Sequence, residues 1–160
     1  AFEAGEEAGL DFFLICNLNP GGGYYRQNTK ASADGRFNGE SMAFGNNPTA
    51  GRDMSGLTSL LNSCCKTDHL HAGYVQNVKM SKGLLCGANR PRIKALIETY
   101  FANGGCQLMI TVIDQKELED AQRHPEKYPD LIVRVAGWNA RFIHLAPHEQ
   151  KEVMNRTFYC

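Results

Sequence analysis

Between Ile132 and Ile143 an apolar, strand-forming run is interrupted by a single glycine: Ile132-Val133-Arg134-Val135-Ala136-Gly137-Trp138-Asn139-Ala140-Arg141-Phe142. A glycine inside a strand pattern marks a bulge or a close approach of the backbone to another group. The pattern predicts a strand over 131–135 leading into Gly137, with the apolar run resuming at Phe142-Ile143. Small neighbours, Ala136 and Ala140, leave room around the glycine, and Arg134 and Arg141 flank it.

Upstream, helical and strand-like segments alternate. Leu10 to Leu18 reads as a buried strand ended by Asn19-Pro20-Gly21-Gly22-Gly23, and that triglycine lacks the Lys-Ser/Thr of a phosphate loop. Residues 19–56 are rich in Gly, Asn, Ser and Pro and form a long irregular segment, of the kind that usually carries function or packs on something else. A helix is predicted over 53–66, capped near Asp53 or Ser55, with Leu57, Leu60, Leu61 and Cys64 on one face. Gly73 to Met80 suggests a strand. A second helix starts near Pro91 with Ile93, Leu96, Ile97, Tyr100 and Phe101 as its apolar stripe, and Asn103-Gly104-Gly105 ends it. Leu108 to Ile113 is a short strand, Asp114 can cap the helix after it, and Pro147 opens the last helix. The order βαβαβ predicts an α/β fold.

Composition excludes several functions. At 160 residues, 42% hydrophobic and 21% charged, the chain matches one ordinary globular domain. Its net charge is zero, so nothing suggests nucleic acid or an anionic membrane. No apolar run approaches the ~20 residues that span a bilayer, and no secretory signal pattern opens the sequence, so the cytoplasm is expected. Without an oxidising compartment, Cys16, Cys64, Cys65, Cys86, Cys106 and Cys160 are expected to remain thiols.

The Ile132–Phe142 run resembles the R-V-x-G-Y loop of the glycyl radical enzymes, the pyruvate formate-lyase-like superfamily. Gly137 falls on the motif's glycine, and Trp138 replaces its usual Tyr. The likeness extends through Ala31-Ser32-Ala33-Asp34-Gly35-Arg36 with Gly39-Glu40, similar to an A-T-P-D-G-R-x-x-G-E stretch, then Gly51-Arg52-Asp53 and Gly56-Leu57-Thr58. Asp120 to Tyr128 and the final helix complete it. These stretches look more like the dehydratase, lyase and decarboxylase branch than like pyruvate formate-lyase itself. The resemblance implies the C-terminal part of a ten-stranded α/β barrel, with the radical loop at its centre and a C-terminal helix after it. Residues 1–28 would close the barrel region and 29–160 would form the glycine radical domain.

In such enzymes the glycine holds a radical on its own Cα. Only a residue without a side chain leaves that carbon free to flatten and share spin with its flanking peptide groups. The resemblance also implies partners. A separate activating enzyme, carrying a [4Fe–4S] cluster and using S-adenosylmethionine, installs the radical in an anaerobic cytosol. Gly137 then passes it to a cysteine on a large partner subunit or a missing region, and the thiyl takes hydrogen from a small organic substrate. The chain alone is expected to be inactive and to bind no cofactor, and its substrate and reaction type are not readable. Arg134, Ala136, Trp138 and Arg141 are candidates for supporting the loop, Arg134 and Arg141 as anchors through hydrogen bonds rather than substrate ligands.

Cys64-Cys65 invites a catalytic reading, but a predicted helix position favours two small buried apolar groups. With Asp68, His69 and His71 it invites a metal reading, which adjacent cysteines fit poorly, so no metal site is expected. The alternatives are a repair subunit that replaces an oxygen-cut radical domain, or a non-catalytic α/β binding module in which Gly137 is only a bulge.

Overall fold

Two parallel strands can be joined only by a crossover, so a chain alternating strand and helix builds a parallel sheet. The computed structural model describes residues 2–10, 14–16, 28–33, 35–40, 42–43, 45–49, 51–67, 72–135 and 138–159. Within them the elements run α1 (Phe2–Glu7), β1 (Leu14–Cys16), α2 (Leu57–Cys64), β2 (Ala72–Tyr74), β3 (Asn77–Met80), α3 (Arg90–Ala102), β4 (Met109–Val112), α4 (Gln115–Arg123), β5 (Ile132–Arg134), β6 (Asn139–Arg141), α5 (Pro147–Asn155) and β7 (Phe158–Tyr159). Single 3-10 turns at Lys82–Leu85, Gly87–Asn89, Pro125–Lys127 and Phe142–His144 join some of them.

The central sheet has the order β4-β3-β7, all parallel, with Val78 beside Ile110 and Lys79 beside both Thr111 and Phe158. Strand β3 is covered on both faces. Val78 and Met80 point into one cluster with Leu57, Leu60, Leu61, Cys64, Tyr100 and Tyr159. Lys79, between them in sequence, points the other way and reaches the end of α5. That side holds a second cluster of Ile113, Leu118, Ala121, Val133, Val135, Phe142, Leu145 and Val153. The α/β class and the predicted apolar face of α2 are thus observed. Of the α3 stripe, Ile93 and Tyr100 are buried, Leu96 and Ile97 half-buried, and Phe101 exposed.

Three predicted elements differ from what forms. The predicted strand from Gly73 to Met80 is two strands in two sheets, because β2 pairs with β1 and β3 with β4 and β7. The ladder breaks at Val75-Gln76, where the Val75 C=O accepts the Asn46 N–H (3.0 Å) and the Gln76 N–H goes to the Gln107 side chain (2.7 Å). Helix α2 starts at Leu57, not near Asp53, since Gly56 at φ 84° holds the N-cap and Asp53 is engaged elsewhere. Asp114 does occupy the N-cap of α4, yet no side-chain capping bond forms there.

The irregular segment packs on the sheet as a substitute strand. Strand β7 reaches only Lys79 and Met80, and beyond it the Asn47 side chain exchanges two hydrogen bonds with the Asn77 backbone (2.6 and 3.1 Å). Nearby, Gly45 has φ 57°, and a Cβ there would meet the Val75 carbonyl. Further upstream, Arg36 is buried and donates to the carbonyls of Thr29 (3.2 Å), Lys30, Phe37 (3.3 Å) and Glu40 (3.1 Å). Its loop is folded around one guanidinium. The predicted Leu10–Leu18 strand appears as β1, with residues 11–13 and 17–18 outside the described residues.

Candidate functional site

Strand β5 alternates as a half-buried strand should: Ile132 is 61% exposed, Val133 only 1%, Arg134 is half-buried and Val135 is 6% exposed. It pairs antiparallel with β6, placing Ile132 opposite Arg141, Val133 opposite Ala140 and Arg134 opposite Asn139. The Val135 N–H then donates to the Trp138 C=O (2.9 Å). Ala136 and Gly137 stand between those two residues and lie outside the described residues.

The return strand is not the apolar Phe142-Ile143. It is Asn139–Arg141, two of whose three residues are exposed, and Phe142–His144 is a 3-10 turn with Phe142 wholly buried. Antiparallel strands need only a short reversal, so pairing begins as soon as the chain turns. The hairpin is therefore apolar on one side only.

A polar arrangement from distant parts of the chain meets β5. Arg156, just after α5, donates from Nη1 to the Arg134 C=O (2.7 Å) and from Nη2 to the Val135 C=O (2.6 Å). Lys79 Nζ donates to the last carbonyls of α5, Val153 (3.3 Å) and Met154 (3.2 Å), where a cation suits the helix dipole. It also reaches Gln115 Oε1 (3.3 Å) and stands 5.7 Å from the Phe158 ring centre. The hydroxyls of Thr157 and Tyr159 both donate to the Asp53 carboxylate. These groups line a cleft of ≈ 50 Å³ between β3 and β5, with room for ordered water at most.

Charge is costly here. Burial, and then the Arg156 charge, pull the Lys79 ammonium down to about 8. Burial brings Arg156 down to about 10, opposed by Glu152. Burial also pushes the Tyr159 phenol up, reinforced by its bond to Asp53.

The described candidate residues sit on the hairpin itself. Arg134 Nη1 donates across it to Asn139 Oδ1 (3.3 Å), and Arg141 pairs with Asp130 at an exposed position (3.0 Å). Trp138 is 48% exposed. Sequence reasoning missed Arg156, Lys79 and the role of Asp53. One signal was available, namely a lysine between two apolar residues in Val78-Lys79-Met80, a charge inside a buried strand.

Cys64 and Cys65 are not brought to this site. Cys64 Sγ donates to Gln76 Oε1 (3.0 Å) and Cys65 Sγ to the Tyr100 C=O (3.4 Å). Cys64 belongs to the cluster on the Val78 and Met80 face, so the sheet separates it from the hairpin. Burial, then its neighbour Cys65, push its thiol up to about 11. Among the described residues no group of three or more His, Cys, Asp or Glu could hold a metal, while Asp68, His69 and His71 lie outside them. Among the described residues no helix is long and apolar enough to cross a membrane.

Comparison with known proteins adds four findings. A family model described as "Glycine radical" matches residues 42–143. The glycyl radical subunit of 4-hydroxyphenylacetate decarboxylase from Clostridium scatologenes is 36% identical over 134 residues, 82% of this chain and 15% of that protein. The glycerol-bound form of the B12-independent glycerol dehydratase from Clostridium butyricum superposes with a TM-score of 0.85 at 37% identity, covering 94% of this chain and 20% of that one. Hydroxyproline dehydratase from Clostridioides difficile, with trans-4-hydroxy-L-proline bound, gives 0.78 at 32% identity, covering 86% of this chain and 18% of that one. The chain thus spans a fifth or less of the length of these relatives.

Proposed function

This chain belongs to the glycine radical family, and on that premise we propose that Gly137 stores a radical on its own Cα for an anaerobic lyase, dehydratase or decarboxylase. One observation carries the reading: the family match covers position 137, which in the sequence lies between Val135 and Trp138, the hydrogen-bonded residues that follow the last β5–β6 pair. The relatives named above, a decarboxylase and two dehydratases, favour that branch over pyruvate formate-lyase.

The radical is installed by a separate activating enzyme that uses S-adenosylmethionine and a [4Fe–4S] cluster. What this chain supplies is the glycine, the strand that delivers it and the packing behind that strand. Val133, Val135 and Phe142 bury one face of the hairpin, which keeps water from that side. Arg134 donates to Asn139 and Arg141 pairs with Asp130, which supports reading both as anchors of the loop.

Transfer follows by exchange of one hydrogen atom. A cysteine S–H of the large partner, or of the rest of a longer chain, gives its hydrogen to the Gly137 Cα and becomes the thiyl that attacks a small organic substrate. We assign residues 1–28 to the end of the barrel region and 29–160 to the radical domain. The chain alone does not turn over.

The test is anaerobic EPR after treatment with the activating enzyme and S-adenosylmethionine, with and without the large partner. A doublet near the free-electron g value that collapses in Gly137→Ala is expected. No doublet in either case, with an activating enzyme proven on another protein, would leave a non-catalytic module in which Gly137 is a bulge.

A further inference from the structure

Resting on that reading, we infer that Arg156 is a positioning residue for the radical loop, turning the chain out of strand β5 at Arg134–Val135 and so fixing the point from which Ala136-Gly137 departs. In an extended strand, successive carbonyls point to opposite sides. Here two successive carbonyls, those of Arg134 and Val135, meet the two terminal nitrogens of one guanidinium at 2.7 and 2.6 Å. A planar fork holds both oxygens only if they converge, so the strand's alternation ends at the last described residue before the loop.

The fork is itself held rigidly. Immediately before it, Lys79 binds the carbonyls of Val153 and Met154. Immediately after it, the hydroxyls of Thr157 and Tyr159 are bound by Asp53, and β7 is laid against β3. Arg156 therefore carries the position of the central sheet to the radical loop. The chemistry gives that link its importance, because hydrogen transfer from a thiol needs reacting atoms in near contact, and a misplacement of ~1 Å costs about a hundredfold in rate. Lysine at this position keeps the charge but has one nitrogen in place of the planar pair that meets the Arg134 and Val135 oxygens separately.

The experiment uses the assembled protein, this chain with its cysteine-bearing remainder, and reads spins per chain and EPR line shape after anaerobic activation. Arg156→Met is expected to lower the radical yield by about tenfold or more, the factor a charge-assisted hydrogen bond commands. Arg156→Lys is expected to keep the wild-type melting temperature within a few degrees, yet to lower the yield severalfold and broaden the doublet. That broadening is what purely structural support would not produce, since the α-proton coupling follows the spin density on Cα, which changes when the flanking peptide planes twist. Should Arg156→Met fail to fold, Arg156→Lys alone decides. Wild-type yield and line shape in Arg156→Lys, or a yield that falls only in step with melting temperature at unchanged line shape, would overturn the inference. If wild-type protein gives no doublet, the radical reading itself fails and takes the inference with it.

Discussion

Strand β3 has β4 on one side and, on the other, β7 continued by the Asn47 side chain, so its edges are met by backbone or by a close imitation of backbone. Strand β5 has β6 on one side, while its Arg134 and Val135 carbonyls are taken by Arg156. A ladder extends a strand in a straight line, whereas a guanidinium gathers carbonyls and bends it. The central sheet is thus built to continue and the hairpin to turn. The Arg36 loop follows the hairpin's rule, although most of its carbonyls lie within a few residues of the arginine, whereas Arg156 acts across more than twenty.

The sharpest challenge to this contrast is to weaken each region separately. Phe142→Ala, behind the hairpin, is expected to cost about 3–5 kcal/mol, and Met80→Ala, in the sheet, about 2–5 kcal/mol. Urea unfolding followed by Trp138 fluorescence and by far-ultraviolet circular dichroism tests whether the two regions are coupled. Coincident curves in both variants mean one cooperative unit, and an early fluorescence transition confined to Phe142→Ala means that the hairpin opens by itself.

Thiol chemistry probes the sheet side. With its thiol raised from 9.0 to about 11, Cys64 should be alkylated at least about a hundredfold more slowly than the exposed Cys86 and Cys106. Peptide mapping after a timed iodoacetamide pulse reads this directly. Equal labelling would mean that α2 does not stay packed.

A smaller effect is expected from pH. The Lys79 ammonium titrates at about 8 when folded and near 10.5 when unfolded. Between those values the unfolded chain binds more protons, so stability attributable to Lys79 rises with pH across that window, and its cost is complete below it. The gap in urea midpoint between wild type and Lys79→Met should therefore shift in favour of wild type from pH 7 to pH 9.5. A constant gap would mean that burial does not depress the Lys79 ammonium. Least of all, Trp138→Ala and Ile132→Ala should alter the stability of this chain by no more than about 0.5 kcal/mol, since both side chains are exposed. A larger loss on thermal melting would show that the outer face of the hairpin is packed.

The sequence by itself determined the α/β class, the buried face of α2, α3 with Pro91 in its first turn, the strand before Gly137 and the family. Each rests on spacing along a few residues or on a motif read in order, information that is local. Tertiary structure decided where the Gly73–Met80 run splits, because the break is made by Asn46 and Gln107, far from it in sequence. It also decided that Asp53 would hold Thr157 and Tyr159 rather than cap a helix, and that Arg156 would take the carbonyls of Arg134 and Val135. Hydrophobic burial repeats with the period of the element and is written along the chain. A hydrogen bond between a side chain and a distant carbonyl has no period, and it becomes visible only when the fold brings the two together.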